Sequence, residues 1–496
     1  VHYKNRTTPA CRCATALLSL ALSASTFAAP WIDAGDATLR HHLLVLADAG
    51  IITVPLNTWP LMWAGIRRNL EHADHFDLDA AQATSLAYVQ FAATRETRDD
   101  VRAGWKTNAR ETKPIFTDFA NSQREQVESQ LYADWIGGSL AGRAAVTWVV
   151  DPLDDKQFRY DGSYIACVLG NWALSVGAID RWWGPGWQQS TILSTNARPI
   201  PGISIQRNYS DPFKTPWLSW LGPWQLVSFM GQEESQQSIE KPLLWGLRIT
   251  ARPLQSLELG ISRTAEWAGH GRPHDSGTFG DLLVGKDNSG SDGINSSNEP
   301  GNQLAGFDWR WHVGWNAAFY GQFTGEDEAG DAPSRFIATL GADVAILGRE
   351  SQTRIFFEAS DTTADGFHGS ERDNYAYEHG IYVDGYRFRG RAIGAATDND
   401  SRLITLGADH HWDDRMQISW SVSRAQLNRD GTNAAAPGGN VIAPDAVNLW
   451  TADASISYLI DSWQLTAGVN YSSEKLQLGG ETAGDSGIYV GWEWRL

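Results

Sequence analysis

Cysteine is scarce in the 496-residue chain: there are three, and Cys11 and Cys13 lie within the first 28 residues. If those residues are a cleaved leader, Cys167 stands alone and no internal disulfide forms. The fold must then be held by packing or by a closed hydrogen-bond network. Positive charge is also in deficit. Lys and Arg total 40 against 58 Asp and Glu, a formal net charge of −18. That balance excludes the extended basic face that nucleic acid requires. No run of about 18 apolar residues is present, which excludes a membrane-spanning helix. Neither G-x-S-x-G nor a phosphate-binding loop occurs, so no cofactor is expected and no enzyme is indicated. Tryptophan is plentiful, with 24 residues. It concentrates where one side of a side chain is apolar and the other wet, as at membrane interfaces.

Lys4, Arg6 and Arg12 precede an apolar stretch from Ala14 to Ala24, followed by Thr26-Phe27-Ala28. This is the pattern of a secretory signal peptide over residues 1–28. No lipobox precedes Cys11 or Cys13. Losing the three cations takes the net charge from −18 to −21. Residues 29–97 read as a small helical bundle. Asp36 is placed to cap a helix from Ala37, with Leu39, Leu43, Leu46 and Ala47 on one face and Gly50 past its end. A second helix is expected from Thr58 or Trp59 to about Asn69, with Pro60 in its first turn. A third should open at Asp79. So small a bundle buries little core and must lean on the rest of the chain.

From about residue 98 the period becomes two. Phe307, Trp309, Trp311, Val313, Trp315, Ala317, Phe319, Gly321 and Phe323 alternate with a mostly polar set that includes Asp308, Arg310, Asn316 and Gln322. The same alternation recurs around Trp420, Ile456, Val469 and Val490. A soluble sandwich would bury the apolar face; a membrane barrel turns it to lipid and lines its lumen with the polar one. Strands of 9–11 residues with aromatic ends favour the barrel, with outer-membrane lipid as its surroundings. Short turns near Ile136–Gly138, Gly170–Asn171, Ala251–Gln255, His312–Gly314, Gly348–Ser351, Asp413–Asp414 and Asp461–Ser462 mostly alternate with long segments. Those segments lie near 112–122, 181–202, 268–302, 361–401, 426–448 and 473–486. The spacing predicts an all-β antiparallel barrel of about 18 strands over 98–496, behind the N-terminal bundle.

One segment is more specific than any pattern. Arg181-Trp182-Trp183-Gly184-Pro185-Gly186-Trp187, then Ser190 and Ile192-Leu193-Ser194-Thr195-Asn196-Ala197-Arg198-Pro199, resembles the signature of the capsule assembly Wzi family. Ile32-Asp33-Ala34-Gly35-Asp36, Thr58-Trp59-Pro60-Leu61 and Asp161-Gly162-Ser163-Tyr164 resemble the same family. The resemblance covers both the helical region and the barrel. It implies an 18-stranded outer-membrane barrel with a periplasmic bundle, acting as a surface lectin that retains capsular polysaccharide or exopolysaccharide. The export machinery for that polymer is then a further expected partner.

Strand parity puts the 181–199 segment on the outer side. Trp182, Trp183 and Trp187 are candidates to stack on sugar rings, and Arg181, Arg198 and Arg207 to pair with glycan carboxylates. The competing reading is structural: Gly184-Pro185-Gly186 folds the loop into the lumen, and Trp and Arg pack there. Tyr375, Tyr377, Tyr382, Tyr386, Arg387, Arg389 and Arg391 form an aromatic and basic cluster in another outer segment, with solvated loop surface as its alternative. A substrate-specific porin is the second functional reading, with Asp308, Arg310, Asn316 and Gln322 along the lumen. A barrel lipase built on His274-Asp275-Ser276 is a third. His72 and His75 have ligand-like spacing but no evident third ligand, so no metal is expected.

Overall fold

A computed structural model of the chain describes residues 30–98, 100–234, 237–283, 301–326, 335–365, 371–412, 415–433, 439–478 and 481–495. The expected signal peptide lies outside these residues, as do the turn at Asp413–Asp414 and the terminal Leu496.

Helix α1 (Ala37–Asp48) starts where Asp36 accepts the Leu39 N–H at 2.8 Å and ends ahead of Gly50, whose φ of 80° suits a glycine. Helix α3 (Ala80–Glu96) opens on a capping box between Asp79 and Gln82. The second helix differs from expectation. Helix α2 runs Trp63–Leu70, not from residue 58. Thr58 and Trp59 instead pair with Trp183 and Trp182, and Leu61 and Met62 with Ile32 and Trp31. Pro60 is thus part of an extended segment, and tertiary ladders override its helix-start signal.

The remaining chain closes into an 18-stranded antiparallel barrel. Val101–Arg110 pairs with Gly487–Arg495, so the first and last strands seal the cylinder and leave no edge. One wall strand is interrupted: Phe158–Arg159 and Tyr164–Leu169 lie in succession along Leu140–Val150. Along Val447–Ile460, Ile456 and Tyr458 are exposed while Ser455 and Ser457 turn inward. Asp308, Arg310 and Gln322 are buried in the lumen between exposed Phe307, Trp311 and Phe319. The apolar set therefore faces outward, as the alternation requires of a lipid-embedded wall.

Two-residue hairpins at Gly138–Ser139, Gly170–Asn171 and Asp461–Ser462 mark one end, the turn end. The expected turn at His312–Gly314 sits slightly later, at Trp315–Asn316, both with φ near 50°. Its Gly301–Gly314 and Ala317–Glu326 strands carry a register shift between His312 and Gly314. That shift keeps odd residues opposite odd ones across the hairpin. The apolar alternation consequently runs through the turn without a break. Asn316 belongs to this turn and is exposed, so it does not line the lumen.

Two masses fill the barrel. From the turn end, α1 and the 51–62 segment seat against the wall. Arg310 pairs with Asp48 at 2.6 and 3.0 Å, and Arg252 donates to the carbonyls of Ala47 and Ile52. From the loop end, the 178–201 and 371–401 segments fold inward. They meet the first mass at the Trp59–Trp182 ladder, and Gly184 donates its N–H to the Asn57 carbonyl at 3.0 Å.

Candidate functional site

An irregular loop buried inside a barrel exposes its peptide groups to no water, so each needs a partner from the wall or the other plug segments. The 178–201 segment obtains them from lumen-facing side chains. Glu358 accepts the N–H groups of Trp187, Gln188 and Gln189 at 2.8, 3.3 and 2.7 Å, and the Tyr320 hydroxyl at 3.1 Å. Gln322 donates to the Trp183 carbonyl at 2.6 Å and accepts the Thr191 N–H at 2.8 Å. At Gly184, with φ of 148°, a Cβ would fall 2.8 Å from that same Gln322 amide. The glycine is what permits the close approach.

Arg40 of α1 completes the joint. Its guanidinium lies 4.2 Å from the Phe119 ring centre and 4.1 Å from that of Trp187, and donates to the carbonyls of Pro185 and Gly186. Burial pushes its pKa down to about 9, so it remains a cation at neutral pH.

The candidate residues are distributed as follows. Arg181, Trp182, Trp183 and Trp187 are all buried. Arg181 stacks 4.3 Å over Phe229 and donates to the Ile179 carbonyl; burial draws its pKa down to about 10. Tyr382 donates to the Ala268 carbonyl and Tyr386 to that of Ile192. Tyr377 stacks on Tyr386 and donates to Thr191. Arg387 is gripped by Asp398 and Glu378, which raise its pKa against the effect of burial. Arg391 donates to the Arg124 carbonyl. Tyr377 and Tyr386 thus tie the two inward loops together, while Arg181, Tyr382, Arg387 and Arg391 hold to the wall, neighbouring loop backbone or their own loop.

Arg198 and Arg389 differ, with side chains 14% and 21% exposed. The structure brings these two together through Asp154. Arg198 forks onto Asp161 at 2.7 Å through both nitrogens and also pairs with Asp154. Arg389 lies 3.6 Å from Asp154 and 3.0 Å from Glu234. Asp154 further pairs with Arg159, which reaches Glu125 at 2.7 Å. Neighbouring arginines hold the Asp154 carboxyl below its usual range despite burial.

Arg207 falls elsewhere. Its strand, Gly202–Arg207, runs from the loop end to the turn end, where Arg207 stacks 3.8 Å over Trp224 and donates to the carbonyls of Trp224 and Asp211. It is remote from the outer loops. The 208–223 connection that follows is a long turn-end loop that the alternation of short and long segments did not anticipate.

Asp275 caps helix α4 (Ser276–Leu283) through the N–H groups of Gly277 and Thr278, and the His274 ring contacts the Arg272 carbonyl. The acid thus serves the helix start rather than linking histidine to serine. His72 contacts the Arg68 carbonyl. No group of three metal-ligating side chains occurs among the described residues.

Sequence reasoning did not single out Glu358, Arg40 or Asp154 as anchors. Glu358 carried one usable signal: it is a charged residue on the inward side of an alternating strand, and such a charge must find a partner.

The family model of the capsule assembly protein Wzi matches residues 97–484. An uncharacterized 55.8 kDa protein in the cps region of Klebsiella pneumoniae is 34% identical over 327 residues, 63% of this chain. The chain spans 61% of the length of that curated relative. The structure of Wzi from Escherichia coli, described as an outer membrane protein involved in group 1 capsule assembly and a carbohydrate-binding β-barrel, superposes with a TM-score of 0.80. It is 28% identical, over 93% of this chain and 98% of that one.

Proposed function

The chain belongs to the capsule assembly protein Wzi family, and on that premise we propose that it is an outer-membrane lectin-like barrel that holds exported capsular polysaccharide or exopolysaccharide at the cell surface. The observation that carries this reading is the plug. Two of the family-like segments, 58–61 and 181–199, are spent on filling the barrel axis and fixing the outer loops. A protein that displays a rigid loop surface gains from such an investment, whereas a substrate-specific porin needs that axis open.

In this reading residues 1–28 are a signal peptide, 29–97 the periplasmic helical part and 98–496 the barrel. The buried Trp182, Trp183, Trp187, Tyr382 and Tyr386 shape the surface. Arg198 and Arg389 lie at its edge and suit an acidic glycan. The export machinery is the expected partner at the turn end. No catalytic step is assigned.

The test compares cell-attached with released polysaccharide in a deletion strain and its complemented parent. Total polymer should stay constant while the attached share collapses on deletion. Unchanged attachment would sink the proposal. Arg389→Ala should weaken retention of an acidic polymer and spare barrel assembly, measured by the same fractionation.

A further inference from the structure

The long turn-end loop, 208–223, is tied down on two sides. Tyr209 stacks 3.9 Å from the Arg68 guanidinium of α2, and Asp211 pairs with the same group. The second attachment lies on the outer face of the barrel. Along Trp224–Gln232 the odd residues point inward: Val227 and Phe229 are buried, and Phe229 packs against Trp183 of the plug. Trp224 therefore points outward. So do the exposed Ile203 and Ile205 on the preceding strand and, by the same parity, Arg207. Yet Arg207 is buried, because it lies against the Trp224 ring and bonds back to the loop at Asp211. Phe213 stacks on Trp224 as well, at 4.4 Å and 9°. Ala251, outward on the next strand, is also buried, and the Ser219–Leu221 turn packs against that strand. Gly222 permits the approach: its φ is 66°, and a Cβ there would run into the Arg252 carbonyl. The loop is thus folded onto the lipid side of the wall, not into the lumen.

Its tip is apolar and bare. The N–H groups of Leu218, Leu221 and Gly222 each bond to the carbonyl three residues back. In such tight turns side chains three apart eclipse one another, which puts Trp217 and Trp220 side by side. They are 72% and 62% exposed, while Leu218 and Leu221 are half-buried. Lys214 is exposed just ahead of them. The next turns round the same rim expose Leu254 and Trp315. Elsewhere on this end the turn tips Gly138–Ser139, Arg349–Glu350 and Asp461–Ser462 carry no apolar side chain. The apolar arc is therefore local, and it continues the lipid-facing wall below it. Tryptophan is at home where its ring leaves water and its N–H keeps a polar neighbour, as among lipid headgroups. Short turns mark the periplasmic end of an outer-membrane barrel, so the headgroups within reach are those of the inner leaflet.

We propose that the 208–223 loop is a membrane foot: Trp217 and Trp220 sit in the headgroup layer of the periplasmic phospholipid leaflet, with Lys214 level with the lipid phosphates. The foot holds this arc of the rim at a fixed depth. It rests on the barrel's place in the outer membrane and is independent of polysaccharide retention. The test uses the chain purified from outer membranes in a Cys167→Ser background, carrying Trp217→Cys or Trp220→Cys. Both positions are exposed, so the barrel should fold, as heat-modifiable gel migration checks. Each thiol is labelled with an environment-sensitive nitrobenzoxadiazole and placed in nanodiscs of phosphatidylethanolamine and phosphatidylglycerol. Ile205→Cys on the wall sets the lipid limit, and Ser462→Cys on a polar turn sets the water limit. Labels at 217 and 220 should emit blue-shifted from the Ser462 label. Iodide in the water should quench them several-fold less than that label. Lipids brominated near the headgroup end of their chains should quench them strongly. A label at either position that behaves like the one at Ser462 would overturn the foot and leave the tip free for a periplasmic protein. Shielding from iodide without quenching by bromolipid would place the tip on protein and overturn it too. Either failure leaves the retention reading standing.

Discussion

At the scale of single residues, the outer plug hangs on few side chains, and Glu358 illustrates the economy. One carboxylate accepts three successive N–H groups and a phenol hydroxyl. Glu358→Ala would strand those donors in a water-poor interior, at a cost of roughly 3 kcal/mol or more. A lower unfolding temperature in detergent is the expected readout. Glu358→Gln retains an acceptor and should fall between. Arg40→Lys belongs to the same class. A lysine cannot fork to two carbonyls while lying flat between two rings, so this apparently mild change should also lower the unfolding temperature. The motif around Trp182 was legible in the sequence, but its partners were not. Glu358 and Gln322 are separated from it by well over a hundred residues, and nothing local distinguishes them from other inward polar positions.

At the scale of elements, the alternation of period two made the strands and their lipid face readable, because one side must meet hydrocarbon. It left turns less sharply placed. The Trp315–Asn316 hairpin hid behind a register shift that preserved parity, and the extended 57–62 segment hid behind a proline suited to a helix start. The folded outer loops were readable as long and polar, but their burial was not. That burial makes a titration prediction. Desolvation raises the pKa of both Asp118 and Asp400 from the ordinary aspartate value to about 7, although N–H donors from Asn121 and Ala120, and from Asn374, pull the other way. The folded loops thus hold protons that the unfolded chain has already released. Their contribution to stability is present at about pH 4 and is lost as pH rises through 7. Amide exchange in segments 111–126 and 371–401 should be slower at pH 5 than at pH 8, after correction for intrinsic rates. Asp118→Asn combined with Asp400→Asn should flatten the difference. Equal protection at both pH values in wild type would contradict the assignment.

For the whole molecule, the consequence of a buried, charged anchor is mechanical. The N-terminal segment is not a separate lid, since its contacts with the wall are buried and charged. Asp48 meets Arg310, Asn57 receives Arg248, and Glu258 accepts the N–H groups of Leu56 and Asn57 at 2.9 and 2.8 Å. Breaking a buried ion pair by removing one partner costs roughly 3–5 kcal/mol, because the other charge stays behind unpaired. Helices of 12, 8 and 17 residues are marginal away from such support. The helical segment and barrel should therefore unfold as one cooperative unit in wild type, giving a single calorimetric transition. Arg310→Ala orphans Asp48 while leaving the barrel's hydrogen-bond ladders untouched. The helical segment should then release first, as a separate transition at lower temperature, with the barrel transition little moved. A single transition shifted as a whole would mean instead that the other anchors suffice to keep the two parts coupled, and that no one ion pair governs the joint.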